Sequence, residues 1–402
     1  MHRLYSVIHP PAAMPPPSQG LRAPRGSAAI RRHRANAECS PPSALPLPSG
    51  FRSLVATRRC GAGGRPGRAG LSIRSRSVKA DAGGAGDGHP CSEVATDART
   101  QVAFRCPVCG GRLAPMPGTA GRLRALECGA GHNVAVAREG HVNLLPAGRK
   151  AKKGRSNAGD EAGMVRARRA FFDRGHFSRV ADGIAQAVAE GLEARAPERQ
   201  HVAVLDAGCG EGMYIGRVHQ TIAGAGRVSE CVGVDIAPLA VKLAARKYGA
   251  VRFAVANCFH LPFGDASFDC IVTAFSPWPV AEFRRVLKPG GFIVAAGPGE
   301  NHLLGLKALL YETPISYKPR KYGSSTVGGA VEVTGGDVPP EPELQRRVSY
   351  DLHLSEGEDA KNLLQMTPYW WKAKAEQQDR IAQLGSLDTP IDVIICRHRY
   401  TD

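Results

Sequence analysis

Short apolar runs recur through the second half of the chain, and several of them end at a polar residue. The first run ends at Asp206, the second ends at Asp235, and Asn257 follows the third. Two more runs cover residues 267–272 and 292–296. Runs of this length are typical of buried parallel strands, and the stretches between them are long enough for helices. The alternation predicts an α/β fold with a Rossmann-like, doubly wound parallel sheet.

A glycine-rich turn follows the first of these predicted strands. Gly208, Gly210 and Gly212 alternate with other residues, and the absence of Cβ atoms would let a ligand lie against the backbone. The spacing is GxGxG, and the phosphate-binding GxGxxG of dinucleotide enzymes cannot be written from it. The turn therefore predicts a cofactor site at the carboxyl ends of the strands that differs from a dinucleotide site.

The polar residues at the strand ends complete this predicted site. The Asp235 carboxylate is placed to accept both ribose hydroxyls of an adenosine, which a 2′-phosphate would prevent. A polar side chain at Asn257, with Cys258 beside it, can contact the adenine edge. Each polar residue taken alone could equally cap a helix or a turn. Taken in this order, they predict a nucleoside pocket formed by Asp206, Gly208, Gly210, Gly212, Asp235, Asn257 and Cys258.

Four metal-ligand residues lie closer to the amino terminus. Cys106 and Cys109 are separated by two residues, and Cys128 and His132 follow after a gap of 18 residues. Two such pairs can close a tetrahedron around zinc, and four protein ligands leave no open position, so the ion would be structural. A short segment buries little core, and a metal supplies the missing folding energy. The alternatives are free side chains in a loop, or a redox CxxC, which normally lies at a helix start.

The basic charge of the chain is concentrated at its amino terminus. The formal net charge is +17, and residues 1–80 carry 14 basic residues and one acid. This region is rich in Arg, Ser, Pro and Ala, which predicts a plastid transit peptide, with a mitochondrial presequence as the alternative. A disordered basic tail that contacts nucleic acid is the other interpretation. Residues 81–101 resemble a flexible linker, and no apolar run is long enough to predict a membrane span.

Several blocks of sequence resemble one family within the class I S-adenosylmethionine-dependent methyltransferases, the bacterial 23S rRNA (guanine-N1)-methyltransferases. These enzymes join an N-terminal zinc knuckle to a methyltransferase core. The resemblance covers roughly residues 102–402 and is far more specific than the glycine turn alone. The matching blocks are FRCPVC at 104–109, EGHVNLLP at 139–146, GDE at 159–161, ARRAFFDRGHF at 167–177, LKPGG at 287–291 and LLQMTPY at 363–369.

The resemblance implies a set of site residues and a division into domains. It implies zinc on Cys106, Cys109, Cys128 and His132, and S-adenosylmethionine as the cofactor. It also implies cofactor contacts at Phe177, where relatives can have Tyr, and at Gly210, Glu211 and His302. The implied organisation is a knuckle at 102–146, a basic helical connector at 147–200 and a methyltransferase domain at 201–402. The stretch 317–340 is longer than the resemblance requires, and the resemblance implies no role for it.

The methyl acceptor and the RNA contacts are less defined by the sequence. Residues 274–279 lack the Asn/Asp-Pro-Pro-aromatic pattern of many exocyclic-amine methyltransferases, which favours a ring nitrogen. Phe275 or Trp278 could stack on an extruded base or pack in the core. Basic side chains between the knuckle and the glycine turn could contact phosphate or form a solvated surface. They are Arg149, Lys150, Lys152, Lys153, Arg155, Arg166, Arg168 and Arg169.

Three functions are therefore compatible with the sequence. The resemblance favours methylation of guanine N1 in large-subunit rRNA of an organelle. A small-molecule methyltransferase is the first alternative, although such an enzyme would have little use for a zinc knuckle. A non-catalytic RNA-binding factor that retains the cofactor pocket is the second, although the glycines and Asp235 are intact.

Overall fold

The computed structural model describes residues 102–117, 123–146, 160–195, 197–314, 320–322, 325–327, 333–334 and 339–400. These residues belong to one compact unit, which spans His89–Asp402. The predicted transit peptide, the predicted linker and the basic run at 149–155 lie outside the described residues. The stretch 317–340 is described only in part.

The described chain contains fifteen strands and eight α-helices. The strands are β1 (Leu113–Pro117), β2 (Leu123–Cys128), β3 (Asn133–Ala135), β4 (Val142–Asn143), β5 (His201–Ala207), β6 (Val228–Asp235), β7 (Arg252–Val255), β8 (Phe268–Ala274), β9 (Trp278–Pro279), β10 (Leu287–Pro298), β11 (Arg320–Tyr322), β12 (Ser325–Val327), β13 (Val333–Thr334), β14 (Pro342–Leu354) and β15 (Leu387–Arg399). The helices are α1 (Ala162–Asp173), α2 (Ser178–Arg195), α3 (Met213–Gly224), α4 (Pro238–Lys247), α5 (Val280–Val286), α6 (Leu304–Leu310), α7 (Gly357–Gln365) and α8 (Ala375–Ala382).

A twisted sheet of eight strands organises the molecule, in the order β14-β15-β10-β8-β5-β6-β7-β4. The five predicted strands are β5, β6, β7, β8 and β10, and they run parallel to one another. Every residue of β8 is buried, as expected for a strand that helices cover on both faces. The predicted doubly wound sheet is confirmed. Its strand order reverses at β5, where such folds bind their ligands.

Two long antiparallel strands extend the sheet beyond the predicted ones. β15 pairs with β10 from Phe292↔Arg399 to Pro298↔Val393. β14 pairs antiparallel with β15 over nearly its full length and forms one edge of the sheet. β15 is therefore an interior strand.

The knuckle shares a core with the large sheet. β1, β2 and β3 form a small antiparallel sheet, whereas β4 joins the large sheet by pairing with β7. The Phe104 ring lies 5.5 Å from the Phe263 ring, and the Arg105 backbone N–H donates to the Pro262 carbonyl at 2.7 Å. Both phenylalanines are buried. The knuckle therefore packs directly against the methyltransferase fold.

The described part of the expected connector is two helices that belong to this fold. Val180, Ile184 and Val188 of α2 are fully buried in the same core as residues of β5 and β10. A Cβ atom at Gly191 would lie 2.5 Å from the Phe292 ring, so the helix approaches β10 too closely for a larger side chain. Residues 160–195 are thus structural parts of the core rather than a separate link. In the described chain, no helix combines the length and apolar character that crossing a bilayer requires.

Candidate functional site

The glycine-rich turn lies between β5 and α3, at the carboxyl edge of the sheet. Gly208, Gly210 and Gly212 have φ angles of +86°, +53° and +84°, a region that other residues rarely adopt. The Gly208 backbone N–H donates to the Val234 carbonyl at 2.8 Å, which joins the turn to β6. A Cβ atom at Gly208 would lie 1.9 Å from Ser276 Oγ. The predicted turn is therefore a backbone surface that glycine alone allows.

The Asp235 carboxylate holds the glycine turn in place through backbone hydrogen bonds. One carboxylate oxygen accepts the Gly210 backbone N–H at 2.9 Å, and the other accepts the Ala237 N–H at 2.8 Å. Burial raises the pKa of Asp235, and these two backbone bonds oppose the shift. Each oxygen of a carboxylate can accept a second bond. The geometry is thus compatible with the predicted pair of ribose hydroxyls.

Asp206 is a fully buried carboxylate behind the glycine turn. Neither of its oxygens has a hydrogen-bond partner among the described residues. Burial, and to a smaller extent the nearby charge of Asp235, raise the pKa of Asp206 to about 8. An unsatisfied buried carboxylate is costly and indicates a bound proton or a cationic ligand.

Glu211 is held by an arginine that the sequence suggested for RNA. The Arg168 Nε donates to both Glu211 oxygens, at 3.2 and 2.9 Å, and Arg168 Nη1 lies 2.6 Å from Asp160 Oδ2. Arg169 likewise pairs with Asp173 at 2.7 Å. The interpretation of Arg168 as a phosphate contact is therefore corrected, because two carboxylates already pair with its charge. For Arg169 the interpretation stays a prediction, because Asp173 is partly exposed and also pairs with Lys247. Arg166 on the same helix is exposed.

The end of β7 brings Asn257 and Cys258 to the same edge of the sheet. The Asn257 side-chain oxygen Oδ1 accepts the Phe259 backbone N–H at 3.0 Å, and the Asn257 backbone carbonyl accepts the His260 N–H at 3.0 Å, which closes a tight turn. Cys258 is half-buried, and burial raises the pKa of its thiol to about 12. Both residues follow β7, which pairs with β6 up to Asp235↔Val255. Their contact with adenine remains a prediction.

An aromatic cluster borders the turn on its other side. Phe177 is buried, and its ring lies 6.3 Å from the His302 ring and 6.5 Å from Phe275. The Asp392 backbone N–H donates to His302 Nδ1 at 3.2 Å, which places the imidazole proton on Nε2. Burial and the charge of Lys307 lower the pKa of His302 to about 4, so the ring is neutral at pH 7.

The four predicted zinc ligands converge in the knuckle. The ligand atoms of Cys106, Cys109, Cys128 and His132 all lie within 4.8 Å of one another. The Cys109 and Cys128 sulfurs are 3.6 Å apart, and Cys128 Sγ lies 3.4 Å from His132 Nδ1. A tetrahedral zinc with Zn–S bonds of about 2.3 Å has edges of roughly 3.5–3.8 Å. The donor set therefore fits zinc.

The backbone around these ligands also supports a metal. The Gly110 N–H donates to the Cys106 carbonyl at 2.8 Å, and Gly110 has a φ of +72°. Burial raises the pKa of Cys128, but backbone contacts from His132 and Ala130 outweigh it and lower the value to about 6. A thiol that ionises readily suits a zinc ligand.

Two features of the site were missed in the sequence. Arg168 pairs with a carboxylate 43 positions later, and no local pattern marks such a pair. Asp392 orients His302 from β15, 90 positions away. The signal for Arg168 was a basic residue in a helix with buried neighbours, which is ambiguous between a surface and a paired charge.

Comparisons with known proteins agree with this geometry. The methyltransferase-domain family matches residues 204–291, and the RlmA N-terminal zinc-ribbon family matches residues 104–153. A Bacillus subtilis protein named as a 23S rRNA (guanine-N1)-methyltransferase, YxjB, is 29% identical over 73% of this chain and 95% of its own length. A Micromonospora griseorubida protein with the same family name is 34% identical over 50% of this chain and 68% of its own.

The chain belongs to the 23S rRNA (guanine-N1)-methyltransferase family. The 23S rRNA (guanine(748)-N1)-methyltransferase of Streptomyces fradiae is also 34% identical, over 50% of this chain and 66% of that protein. Membership in this family accounts for both sites described above, the metal-ligand cluster of the knuckle and the glycine turn of the methyltransferase core. The knuckle binds a structural zinc, and the methyltransferase core takes S-adenosylmethionine.

The residues present fit that cofactor. The glycine turn offers bare backbone, and a carboxylate lies at the end of the next strand. Asp206 has unsatisfied oxygens where a cationic ligand would compensate its charge. S-adenosylmethionine carries positive charge on its sulfonium and its ammonium. These residues would therefore offer the cofactor bare backbone and two carboxylates.

Proposed function

We propose that this protein transfers the methyl group of S-adenosylmethionine to N1 of a guanine in large-subunit rRNA. The match to YxjB carries the proposal, because it covers 73% of this chain and 95% of that relative, and family matches are found in both the knuckle and the methyltransferase core. A zinc ribbon joined to the core is the expected form of an enzyme with a large polymeric substrate. It is not needed for a small-molecule acceptor.

The chemistry required of the chain is mainly positioning. The cofactor supplies an electrophilic methyl group, and the acceptor nitrogen must approach it in line. When bound, the cofactor would release its sulfur with the carbon–sulfur electron pair, and the proton on guanine N1 would have to pass to a base as the N1–carbon bond forms. Asp235 and the glycine turn would fix the donor. The acceptor guanine would enter beside the partly exposed Phe275.

Methylation of defined RNA tests the proposal directly. We expect the purified zinc-loaded protein to form N1-methylguanine in a large-subunit rRNA fragment, detected by mass spectrometry of nucleosides and located by reverse-transcription stops. A binding factor would retain the RNA without turnover. Transfer only to small acceptors, with no modified guanine in rRNA, would favour the small-molecule alternative.

We further propose that residues 1–80 direct the protein to a plastid. Their composition supports this, with 14 basic residues against a single acid. A fluorescent fusion of the full-length chain should enter plastids, whereas a fusion that begins at residue 81 should stay in the cytosol. Import into mitochondria would reassign the organelle, and cytosolic retention of the full-length fusion would contradict the presequence.

A further inference from the structure

Phe275 adopts a backbone conformation that is unfavourable for an aromatic residue. It follows β8 directly and has a φ of +55°. The described chain contains two other non-glycine residues with positive φ, Ala266 and Leu303. Leu303 follows His302, so two of these three strained positions border the same aromatic cluster. Strain of this kind persists where the surrounding structure enforces it, and it concentrates at functional sites.

The surrounding structure does enforce this conformation. The Phe275 backbone N–H donates to the Ala296 carbonyl of β10 at 2.9 Å. The next residue, Ser276, lies so close to Gly208 that a Cβ atom there would be 1.9 Å from Ser276 Oγ. The turn at Phe275 is thus fixed to the sheet on one side and to the cofactor turn on the other.

The strained turn exposes the ring instead of burying it. Phe275 is 41% exposed, whereas Trp278, three residues later, is completely buried. Core packing therefore accounts for Trp278 and does not account for Phe275. The Phe275 ring stacks on the His302 imidazole, with centroids 6.0 Å apart and an interplanar angle of 29°. The partly exposed Phe275 side chain therefore lies beside the cofactor turn with the His302 imidazole against its ring.

We propose that Phe275 is the surface on which the acceptor purine stacks, an inference that rests on the proposed rRNA function. An aromatic ring binds any base through its π-face, and stacking leaves the base edge free to meet a methyl donor. Extruded bases are commonly held between flat side chains in this way. The position of the ring at the carboxyl end of β8 places the base at the cofactor-binding edge of the sheet.

The test distinguishes loss of the aromatic ring at residue 275 from a change in backbone strain at that residue. Asn tolerates positive φ, so Phe275→Asn removes the ring without adding backbone strain. We expect its kcat/KM on the rRNA fragment to fall by about 5- to 150-fold, which corresponds to about 1–3 kcal/mol of base stacking. Its melting temperature and its affinity for S-adenosylmethionine should match those of the wild type. Phe275→Tyr restores a ring and should recover most of the lost activity.

A matched control is Val228→Ala, because Val228 is 47% exposed and lies at the amino end of β6, at the opposite edge of the sheet. It should leave kcat/KM unchanged. Full activity of Phe275→Asn would overturn the stacking role, and so would a loss of cofactor affinity as large as the loss of activity. A wild-type protein that forms no N1-methylguanine would instead refute the proposed function, and the stacking role with it.

Discussion

Asp206 and Asp235 lie close together behind the glycine turn, and the fold gives them unequal support. Asp235 accepts two backbone N–H groups, whereas Asp206 has no hydrogen-bond partner among the described residues. Burial raises the pKa of Asp206 from 3.8 to about 8. Between these pH values the folded protein binds more protons than the unfolded chain. The stability of the ligand-free protein should therefore fall as the pH rises through this window.

Asp206→Asn should remove that dependence. The amide has the same shape and does not ionise, so the free energy of unfolding should lose a slope of up to about 1.4 kcal/mol per pH unit. The variant should be more stable than the wild type at pH 8 and less different at pH 5, as measured by urea unfolding. Asp265→Asn is the control, because its side chain is 79% exposed. Parallel pH profiles for wild type and Asp206→Asn would contradict the buried titration.

Asp235→Ala should weaken cofactor binding. The change removes the acceptor expected for two ribose hydroxyls, and a charged hydrogen bond contributes about 1.5–3 kcal/mol. Affinity for S-adenosylmethionine should fall by about 10- to 150-fold in calorimetry. Asp265→Ala should have no effect. Unchanged affinity in Asp235→Ala would place the ribose elsewhere.

For individual residues, sequence spacing predicted the zinc ligands but could not predict the partner of Arg168. Two ligand pairs are local patterns, and tetrahedral coordination brings them together whatever the intervening fold. An ion pair between α1 and the glycine turn depends on tertiary packing. The sequence therefore could not distinguish Arg168 from the exposed Arg166 on the same helix.

Helix α1 supplies a matched pair of arginines that tests this distinction. Arg168→Ala leaves the buried Glu211 without its partner, so the protein should lose about 3 kcal/mol of stability and bind S-adenosylmethionine more weakly. Arg166→Ala should change neither property, because Arg166 is exposed. Thermal unfolding and calorimetry measure both effects. Equal behaviour of the two variants would mean that the Glu211 pair contributes nothing to the site.

The knuckle is linked to the sheet through β4, so loss of zinc should be felt at β7. Cys109→Ser should abolish zinc binding and speed amide exchange at Leu144, which donates to the Val255 carbonyl at 2.9 Å. Val108→Ser is the control, because Val108 lies in the same turn, is 70% exposed and is not a ligand. Metal analysis and hydrogen exchange provide the measurements. Unaltered exchange in the zinc-free variant would show that β4 holds its place without the metal.

The parallel strands were predicted because each is an uninterrupted apolar run. β14 was not predicted, although its residues alternate between exposed and partly buried along most of its length. This alternation is typical of an edge strand with one solvated face. Arginines at 346 and 347 interrupt the apolar pattern, and their partners Glu190 and Asp392 lie far away in sequence. The strand could not be predicted from apolar periodicity because the partners of its two arginines are known only from the tertiary structure.

The charge of the whole molecule bears on how it would bind RNA. Beyond residue 80 the chain carries 39 basic and 35 acidic residues. If residues 1–80 are removed, contact with rRNA depends on local clusters such as Arg149, Lys150, Lys152, Lys153 and Arg155.

Neutralising these five in a protein that begins at Ala80 should reduce the slope of log affinity against log salt by about two or more, at roughly 0.7–0.9 per phosphate contact. Cofactor binding should be unaffected. A slope that ignores the change would remove this cluster from the RNA interface.

The interior position of β15 determines when the sheet can be completed during synthesis. β15 follows every other element of the described chain, yet it lies between β14 and β10. Its Asp392 also orients His302 and accepts the Asn301 backbone N–H. During synthesis the parallel strands emerge first, before the strand that will lie between β14 and β10. We therefore expect a chain that lacks β15 to leave His302 without the Asp392 backbone N–H that orients its ring, so the aromatic cluster would be completed only when this last described strand joins the sheet.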